Sequence, residues 1–146
     1  MPDLVTLVAI LACAFFAGAA TYINLVEHPA RLSCGTEIAA RQWAPSYQRA
    51  TVMQASLAVM AGVAGALRWL QSGDILWLGG AVAILAVVPV TLVVILPTNK
   101  RLLEPGRDLA SAETRTLLVA WGRLHAIRSL LSLVASGLYV WVATHS

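Results

Sequence analysis

Two histidines, a glutamate and an arginine are the residues of this chain best suited to acid–base chemistry. Glu27 and His28 are adjacent, and Arg31 follows within one helical turn. His125 and Arg128 are three residues apart, so they share a face of any helix that contains them. A histidine gains or loses its proton near neutral pH, and a neighbouring carboxylate or burial tunes that exchange. We therefore interpret Glu27, His28, His125 and Arg128 as candidate catalytic residues.

The segment around Pro29 has a structural interpretation as well. Proline lacks a backbone N–H, so we expect the helix to kink or end there and to free the carbonyl of Leu25. Glu27 and His28 can then hydrogen-bond each other while Arg31 neutralises the carboxylate. On this interpretation the segment is a charge-paired helix end, and both interpretations remain open from the sequence.

Two imidazoles and a carboxylate are also metal ligands. His28, His125 and Glu27 together form the two-histidine, one-carboxylate set that binds non-haem iron, but the sequence contains no HxxxH or CxxC spacing. We commit to no cofactor and keep a metal ion, or a haem held by both histidines, as alternatives. Cys13 and Cys34 are poorly placed to pair, and no disulfide framework is indicated.

Four apolar stretches must position these residues. Crossing a bilayer takes about 20 residues, and we predict helices over about residues 4–28, 45–70, 75–97 and 114–142. Only 17 of the 146 residues are charged, whereas soluble domains carry about a quarter. This composition excludes a soluble enzyme, a secreted disulfide scaffold and a nucleic-acid binder. The sequence predicts one all-α domain over residues 1–146, an antiparallel four-helix bundle integral to the lipid bilayer, alone or as a homo-oligomer.

The predicted connections differ in length and charge. Only residues 71–74 join the second and third helices, whereas the long connections 27–50 and 97–115 lie together at the opposite end. Nine of the ten Lys and Arg residues belong to that end, and Arg68 is the exception. The positive-inside rule then places the long loops in the cytoplasm and both termini outside, in what we expect to be a bacterial inner membrane. No Lys or Arg precedes the first apolar run, so we interpret it as a retained helix rather than a signal peptide.

Small residues at small-xxx-small spacing predict the packed faces of three helices. They are Ala14, Ala17, Gly18 and Thr21 in the first helix, Ala58, Ala61, Gly62 and Gly65 in the second, and Ser129, Ser132, Ala135 and Ser136 in the fourth. Each face becomes polar toward the cytoplasmic end, which the third helix reaches at Asn99. We predict a half-buried polar pocket there, and its candidate substrate-binding residues are Asn24, Arg31, Tyr47, Gln54, Asn99 and Trp121.

Arginines and tryptophans near the ends of membrane helices commonly anchor at headgroup level. Taken singly, Arg49, Arg123, Trp43 and Trp121 are interpreted in this way at the cytoplasmic end. Trp69, Trp77 and Trp141 are interpreted as the aromatic belt at the other end.

The order of these motifs resembles the anthrone oxygenase-like family of small four-helix membrane proteins. The resemblance rests on Gly18-Ala19-Ala20-Thr21-Tyr22, Glu27-His28-Pro29-Ala30-Arg31, Trp43-Ala44-Pro45-Ser46-Tyr47 with Arg49 and Gln54, Pro97-Thr98-Asn99, and Trp121 with His125 and Arg128. It implies oxygenation of an electron-rich polycyclic phenol, an anthrone to an anthraquinone, by molecular oxygen and without a firmly assigned cofactor.

On this resemblance we expect a membrane oxidoreductase, a monooxygenase whose hydrophobic aromatic or phenolic substrate enters from the lipid. His28 or His125 would remove the acidic proton of the substrate. The resulting anion would be held by Arg128, Arg31, Asn99 or Gln54. Two alternatives are kept: a metal- or haem-binding redox protein that uses His28 and His125, and a non-catalytic binding or assembly protein whose polar pocket closes the bundle.

Overall fold

The computed structural model describes residues 3–145, which form helices and turns without a strand. The helices are α1 (Leu4–Ser33), α2 (Thr36–Ser72), α3 (Ile75–Leu102) and α4 (Ala112–His145), and each is long and apolar enough to cross a membrane. They pack against one another as an antiparallel bundle. The predicted all-α four-helix architecture is confirmed, and the four apolar helices indicate an integral membrane protein.

The first predicted long connection is almost entirely helical. α1 and α2 extend toward each other until only Cys34 and Gly35 separate them. Hydropathy detects only the part of a helix that lipid can cover, whereas α2 begins with charged, exposed turns. In these turns Glu37 and Arg41 form an ion pair at 2.8 Å across one turn of helix. The predicted boundaries at residues 28 and 45 therefore fall inside helices.

The other connections are closer to expectation. α3 ends at Leu102 and α4 begins at Ala112, so the second connection is shorter than the 19 or so residues predicted. At the opposite end, Gly73 closes α2 with a positive φ of 74°, a conformation that glycine adopts without steric cost. The Asp74 side chain then accepts a hydrogen bond from the Leu76 N–H at 2.9 Å and caps α3.

α1 and α3 each contain a π-helical turn beside a proline. These turns cover Ile23–Glu27 and Val90–Ile95, and each ends two residues before a proline, Pro29 or Pro97. A proline ring crowds the carbonyl four residues earlier and cannot bond to it. The wider turn accommodates this: the N–H of His28 bonds to the carbonyl five residues before it. The kink or helix end predicted at Pro29 is thus a π turn within a continuous helix.

The apolar core has two parts along the bundle. Near the Gly73 turn, Phe16, Trp77 and Tyr139 pack among alanines from three helices. At the other end, Trp43 and Trp121 pack with aliphatic residues of α3 and α4. Three of the predicted headgroup anchors are therefore core residues: Trp43 and Trp77 are 1% exposed, and Trp121 is 4% exposed.

The small-residue faces predicted for α2 and α4 are mainly buried, but the one predicted for α1 is displaced. Ala14 and Gly18 face outward, whereas Ala9, Ala12, Cys13, Phe16, Ala17 and Ala20 are buried. Sequence spacing gives a set of residues that share a face, but in an all-apolar helix it does not say which face meets the neighbours.

Candidate functional site

Asn24, in the π turn of α1, links that helix to α4. Its Oδ1 accepts hydrogen bonds from the Ser129 hydroxyl (2.6 Å) and from Nδ1 of His125 (2.8 Å). Its Nδ2 donates to the carbonyl of Gly122 at 2.8 Å, which fixes the orientation of the amide. Because a carbonyl oxygen only accepts, His125 carries a proton on Nδ1, and Nε2 of the neutral ring carries the lone pair. The His125 side chain is 1% exposed.

His28 also faces α4 but makes a different contact. Its Nε2 donates to the backbone carbonyl of Leu118 at 2.8 Å, and its Nδ1 is buried without a protein partner. A Cβ atom at Gly122 would lie 2.7 Å from the His28 ring, so glycine is required for this close approach. The indole of Trp121 contacts both imidazoles, with ring centres 4.9 Å from His28 and 4.8 Å from His125.

Glu27 does not pair with His28, and the predicted hydrogen bond between them is wrong. The carboxylate forms an ion pair with Arg31 and accepts hydrogen bonds from Gln42 (3.1 Å) and Ser46 (3.0 Å). Consecutive helical residues point about 100° apart, so Glu27 faces α2 while His28 faces α4. The arrangement is the charge pair of the structural interpretation, placed within the helix rather than at its end.

Arg128 is a buried cation with no carboxylate in ion-pairing range among residues 3–145. Its Nη2 donates to Oε1 of Gln54 at 2.7 Å, and its guanidinium lies 5.4 Å from the centre of the Phe16 ring. Nε of Arg128 and Nε2 of Gln54 are buried without a protein partner. An unpaired charge in an apolar interior is costly, so this position favours an anion.

Two cavities meet at Arg128. One is a polar chamber of about 10 Å³, which has room for about one water molecule. Its lining residues are Ile23, Arg31, Ser46, Tyr47, Ala50, Thr51, Gln54, Trp121, His125 and Arg128. The other, which we call the lateral cavity, has a volume of about 160 Å³ between α2 and α3. Thr51, Gln54 and Arg128 line both.

Buried hydrogen-bond donors without a protein partner are concentrated at this end of the described chain. They are Nε1 of Trp43 and of Trp121, Nε of Arg31 and of Arg128, Nε2 of Gln54 and Nδ2 of Asn99. The unpaired acceptors of the same region are fewer: Nδ1 of His28, Oδ1 of Asn99 and the hydroxyl of Thr21, which can also donate. Buried polar groups in folded proteins normally have partners. The excess of donors therefore fits a ligand rich in oxygen acceptors.

The predicted metal set does not form. Among residues 3–145, no three His, Cys, Asp or Glu side chains lie close enough together to hold a metal ion. Glu27 faces away from His28, and Nε2 of His28 is occupied by a backbone carbonyl. A haem held by His28 and His125 would have to displace the Trp121 indole that contacts both rings.

The structure gathers most of the predicted site residues, but Glu27, His28 and Asn99 line neither cavity. Arg31, Tyr47, Gln54, Trp121, His125 and Arg128 line the polar chamber, and Asn24 bonds to His125. Of these three, His28 and Asn99 are buried.

Sequence reasoning missed Phe16, which has no polar signal, and Ser129, whose small size indicated packing alone. It also missed Ser46, which carries a hydroxyl group but stands next to the predicted site residue Tyr47, whereas Thr51 lies on the predicted polar stripe between Tyr47 and Gln54. A search for hydroxyl residues one position from the predicted polar stripe would have found Ser46.

Fold and pocket together define a small membrane-embedded helical bundle with a buried cationic site. The model of the anthrone oxygenase family matches residues 43–138, which include every predicted site residue from Tyr47 to Arg128. The chain is 30% identical over 138 residues to an anthrone oxygenase of Aspergillus fumigatus, covering 88% of this chain and 86% of the relative. It is also 30% identical over 149 residues to an anthrone oxygenase of Claviceps purpurea, covering 92% and 86%. No solved structure matches it significantly. The chain belongs to the anthrone oxygenase family.

Proposed function

We propose that this protein is a membrane oxygenase that converts a CH₂ group between aromatic rings, as in an anthrone, into a carbonyl group. The observation that carries the proposal is a buried cation, Arg128, beside a neutral histidine in a chain of this family. The reaction R₂CH₂ + O₂ → R₂C=O + H₂O is balanced without an external reductant. One oxygen atom enters the product, and the other leaves as water with the two hydrogens of the CH₂ group.

His125 acts as the general base. Its Nε2 carries the lone pair, and the side chain lines the polar chamber together with Arg128. When Nε2 takes the proton, the charge on the ring is stabilised by the Nδ1–H bond to Asn24. His28 lines neither cavity, which makes it the weaker of the two predicted bases.

The substrate reacts as its enol tautomer, a phenol whose hydroxyl group lies on Arg128 and Gln54. These two residues hold the oxyanion that forms when His125 takes the hydroxyl proton. Nε of Arg128 and Nε2 of Gln54 are the free donors at the point where the two cavities meet. Fixed donors in a site that excludes water stabilise developing charge far better than they would in water. The anion is the species that then reacts with O₂.

The test is turnover by the purified protein in nanodiscs, supplied with anthrone and ¹⁸O₂. We expect anthraquinone that carries one labelled oxygen atom. His125→Ala should lower kcat/KM by about 10²–10⁴-fold, the usual contribution of a general base. The matched control is His145→Ala, because His145 is exposed and stacks on Trp141 at the other end.

Two results would count against this mechanism. Full turnover in a well-folded His125→Ala variant removes His125 as the base. Product formed without label from ¹⁸O₂ removes the oxygenase reaction itself. His28→Ala, with expression and folding checked, should have the smaller effect of the two histidine variants.

We also propose that the site end of the bundle faces the cytoplasm, because nine of the ten Lys and Arg residues lie there. Cys34 is exposed at that end and Cys13 is buried, so thiol labelling of the native chain reports the side on which Cys34 lies. A membrane-impermeant maleimide should label Cys34 only after the cells are permeabilised. As a control, the exposed Ser72→Cys in a Cys34→Ser background should be labelled in intact cells. Labelling of Cys34 in intact cells would reverse the proposed orientation.

A further inference from the structure

α2 and α3 separate toward the site end. α2 packs closely along the first part of α3, Ile75–Leu85, where Leu85 lies directly over Gly62. It makes few contacts with the part from Val87 to Ile95, which contains the π turn. The lateral cavity of about 160 Å³ occupies this gap.

The walls of the lateral cavity are apolar, and its mouth is exposed on the outer surface of the bundle. The apolar wall consists of Phe16, Ala55, Ala58, Val87, Val88 and Leu92. Among these, Ala55, Val88 and Leu92 are exposed on the helix surfaces that lipid would cover in a membrane. The cavity therefore opens sideways rather than toward either end of the bundle.

The inner end of the lateral cavity is polar and has unused donors. The hydroxyls of Thr51 and Thr91 are already bonded to backbone carbonyls of their own helices. Gln54 and Arg128 are different, because each retains a buried N–H without a protein partner. A ligand in this cavity meets an apolar wall first and a cation last.

We propose that the lateral cavity binds one aromatic ring of a phenolate-type ligand that enters from the bilayer between α2 and α3, with its oxyanion on Arg128 and Gln54. A cavity of about 150 Å³ is known to hold benzene, so the space here encloses one ring. The remaining rings of a polycyclic ligand lie in the gap toward the lipid. The inference rests on the proposed function only for the reaction that follows binding.

The first experiment compares two probes that contain no CH₂ group to oxygenate. 2-Naphthol can ionise, whereas 2-methoxynaphthalene has the same rings without an acidic proton. Titrated into the protein in nanodiscs and corrected for partition into empty nanodiscs, 2-naphthol should bind about tenfold more tightly, as expected for a hydrogen bond to a charged group. Arg128→Met should abolish that difference. Equal affinity for the two probes in the unmodified protein would overturn the assignment of the oxyanion.

The second experiment blocks the mouth from either side, with a matched neighbour on each helix. Ala55→Trp on α2 and Leu92→Trp on α3 place an indole at the opening, and both positions are exposed. The controls Ser56→Trp and Val93→Trp are exposed neighbours that do not line the cavity. We expect the first pair to weaken 2-naphthol binding by about tenfold or more, and the controls to leave it unchanged. No loss in the first pair, or an equal loss in the controls, would overturn the inference.

Turnover of anthrone separates this inference from the proposed function. If 2-naphthol binds as expected but anthrone is not oxygenated, the oxygenase is wrong and the binding site remains. If anthrone is oxygenated at the same rate in Ala55→Trp and Leu92→Trp, the lateral cavity is not the site and the oxygenase remains.

Discussion

The two ends of the bundle carry similar residues in opposite states. At the Gly73 end, Tyr139 packs over Gly80, and its hydroxyl donates to the carbonyl of Ala61 at 2.9 Å. Arg68 there bonds to the carboxylate of Asp3 at 3.0 Å. Two buried N–H groups at this end, Nε of Arg68 and Nε1 of Trp77, have no protein partner. At the site end, Arg128 has no carboxylate partner among the described residues, and six buried N–H groups are unpaired.

The two arginines make the comparison direct. Arg68 and Arg128 each stand over an aromatic ring, at 5.5 Å from Trp77 and 5.4 Å from Phe16. Only Arg68 has its charge balanced by protein. The unpaired cation at the other end is a feature of that end alone, and it is what makes a ligand site there.

Among the variants that compare the two ends, Arg128→Met gives the largest expected effect. Removing an oxyanion donor should lower the turnover of anthrone by about 10²–10³-fold. The free energy of unfolding should stay the same or rise, because burying an unpaired charge costs stability and Met fills much of the same volume. Turnover and thermal unfolding in nanodiscs measure the two quantities. Arg68→Met is the control, and an equal loss of turnover in it would show that the two ends do not differ.

Gly80→Ala tests the packed end. A Cβ atom there would lie 2.6 Å from Cδ1 of Tyr139, so we expect a loss of about 1–3 kcal/mol in the free energy of unfolding, typical of overpacking. Gly79→Ala is the matched control, since its Cβ atom would meet only Leu138 at an ordinary 3.6 Å. Thermal unfolding in detergent separates the two variants. Similar midpoints for both would mean that Tyr139 can move aside.

Tyr139→Phe should have a smaller effect on the same quantity. It removes the hydrogen bond to the Ala61 carbonyl without changing the ring, which costs about 1 kcal/mol. Turnover of anthrone should not change, because Tyr139 lies far along the bundle from the polar chamber. The exposed Tyr22→Phe is the control for loss of a hydroxyl. A fall in turnover for Tyr139→Phe would connect the two ends functionally.

Glu27→Gln is expected to leave the turnover of anthrone nearly unchanged. The carboxylate is 25% exposed and already shares its contacts among Arg31, Gln42 and Ser46, and an amide oxygen can accept from the same donors. The free energy of unfolding should fall by about 1–3 kcal/mol, because the buried Arg31 guanidinium loses its carboxylate and keeps only neutral partners. If the rate of anthrone turnover falls as far as in His125→Ala, Glu27 belongs to the catalytic set after all.

Hydropathy and spacing predict the four helices and the end at which their polar residues meet. Both depend on composition over many residues, which the chain determines by itself. The boundaries depend on exposed turns such as the one holding Glu37 and Arg41, whose charges hide a helix from hydropathy. Pro29 was expected to interrupt α1, because the sequence does not reveal that a π turn can absorb it.

The pairing of the site residues could not be predicted from one sequence. Residues three or four apart share a helix face, which correctly groups His125 with Arg128. Spacing within a helix does not identify the partner on another helix, so the bond of Asn24 to His125 was not predicted. Sequence spacing also gave a wrong contact between Glu27 and His28. These residues are adjacent in sequence, so their side chains point toward different helices.

The π turn of α1 changes the direction in which the later side chains of the helix point. The turn from Ile23 to Glu27 contains one residue more than an α-helical turn. The side chains that follow it are therefore rotated around the helix axis relative to their positions in an uninterrupted α-helix. Deleting a single residue inside this turn would restore the ordinary period and swing His28 by about 100° around the helix axis. An alignment gap of one residue at this place would therefore separate chains that keep this site from chains that keep only the bundle.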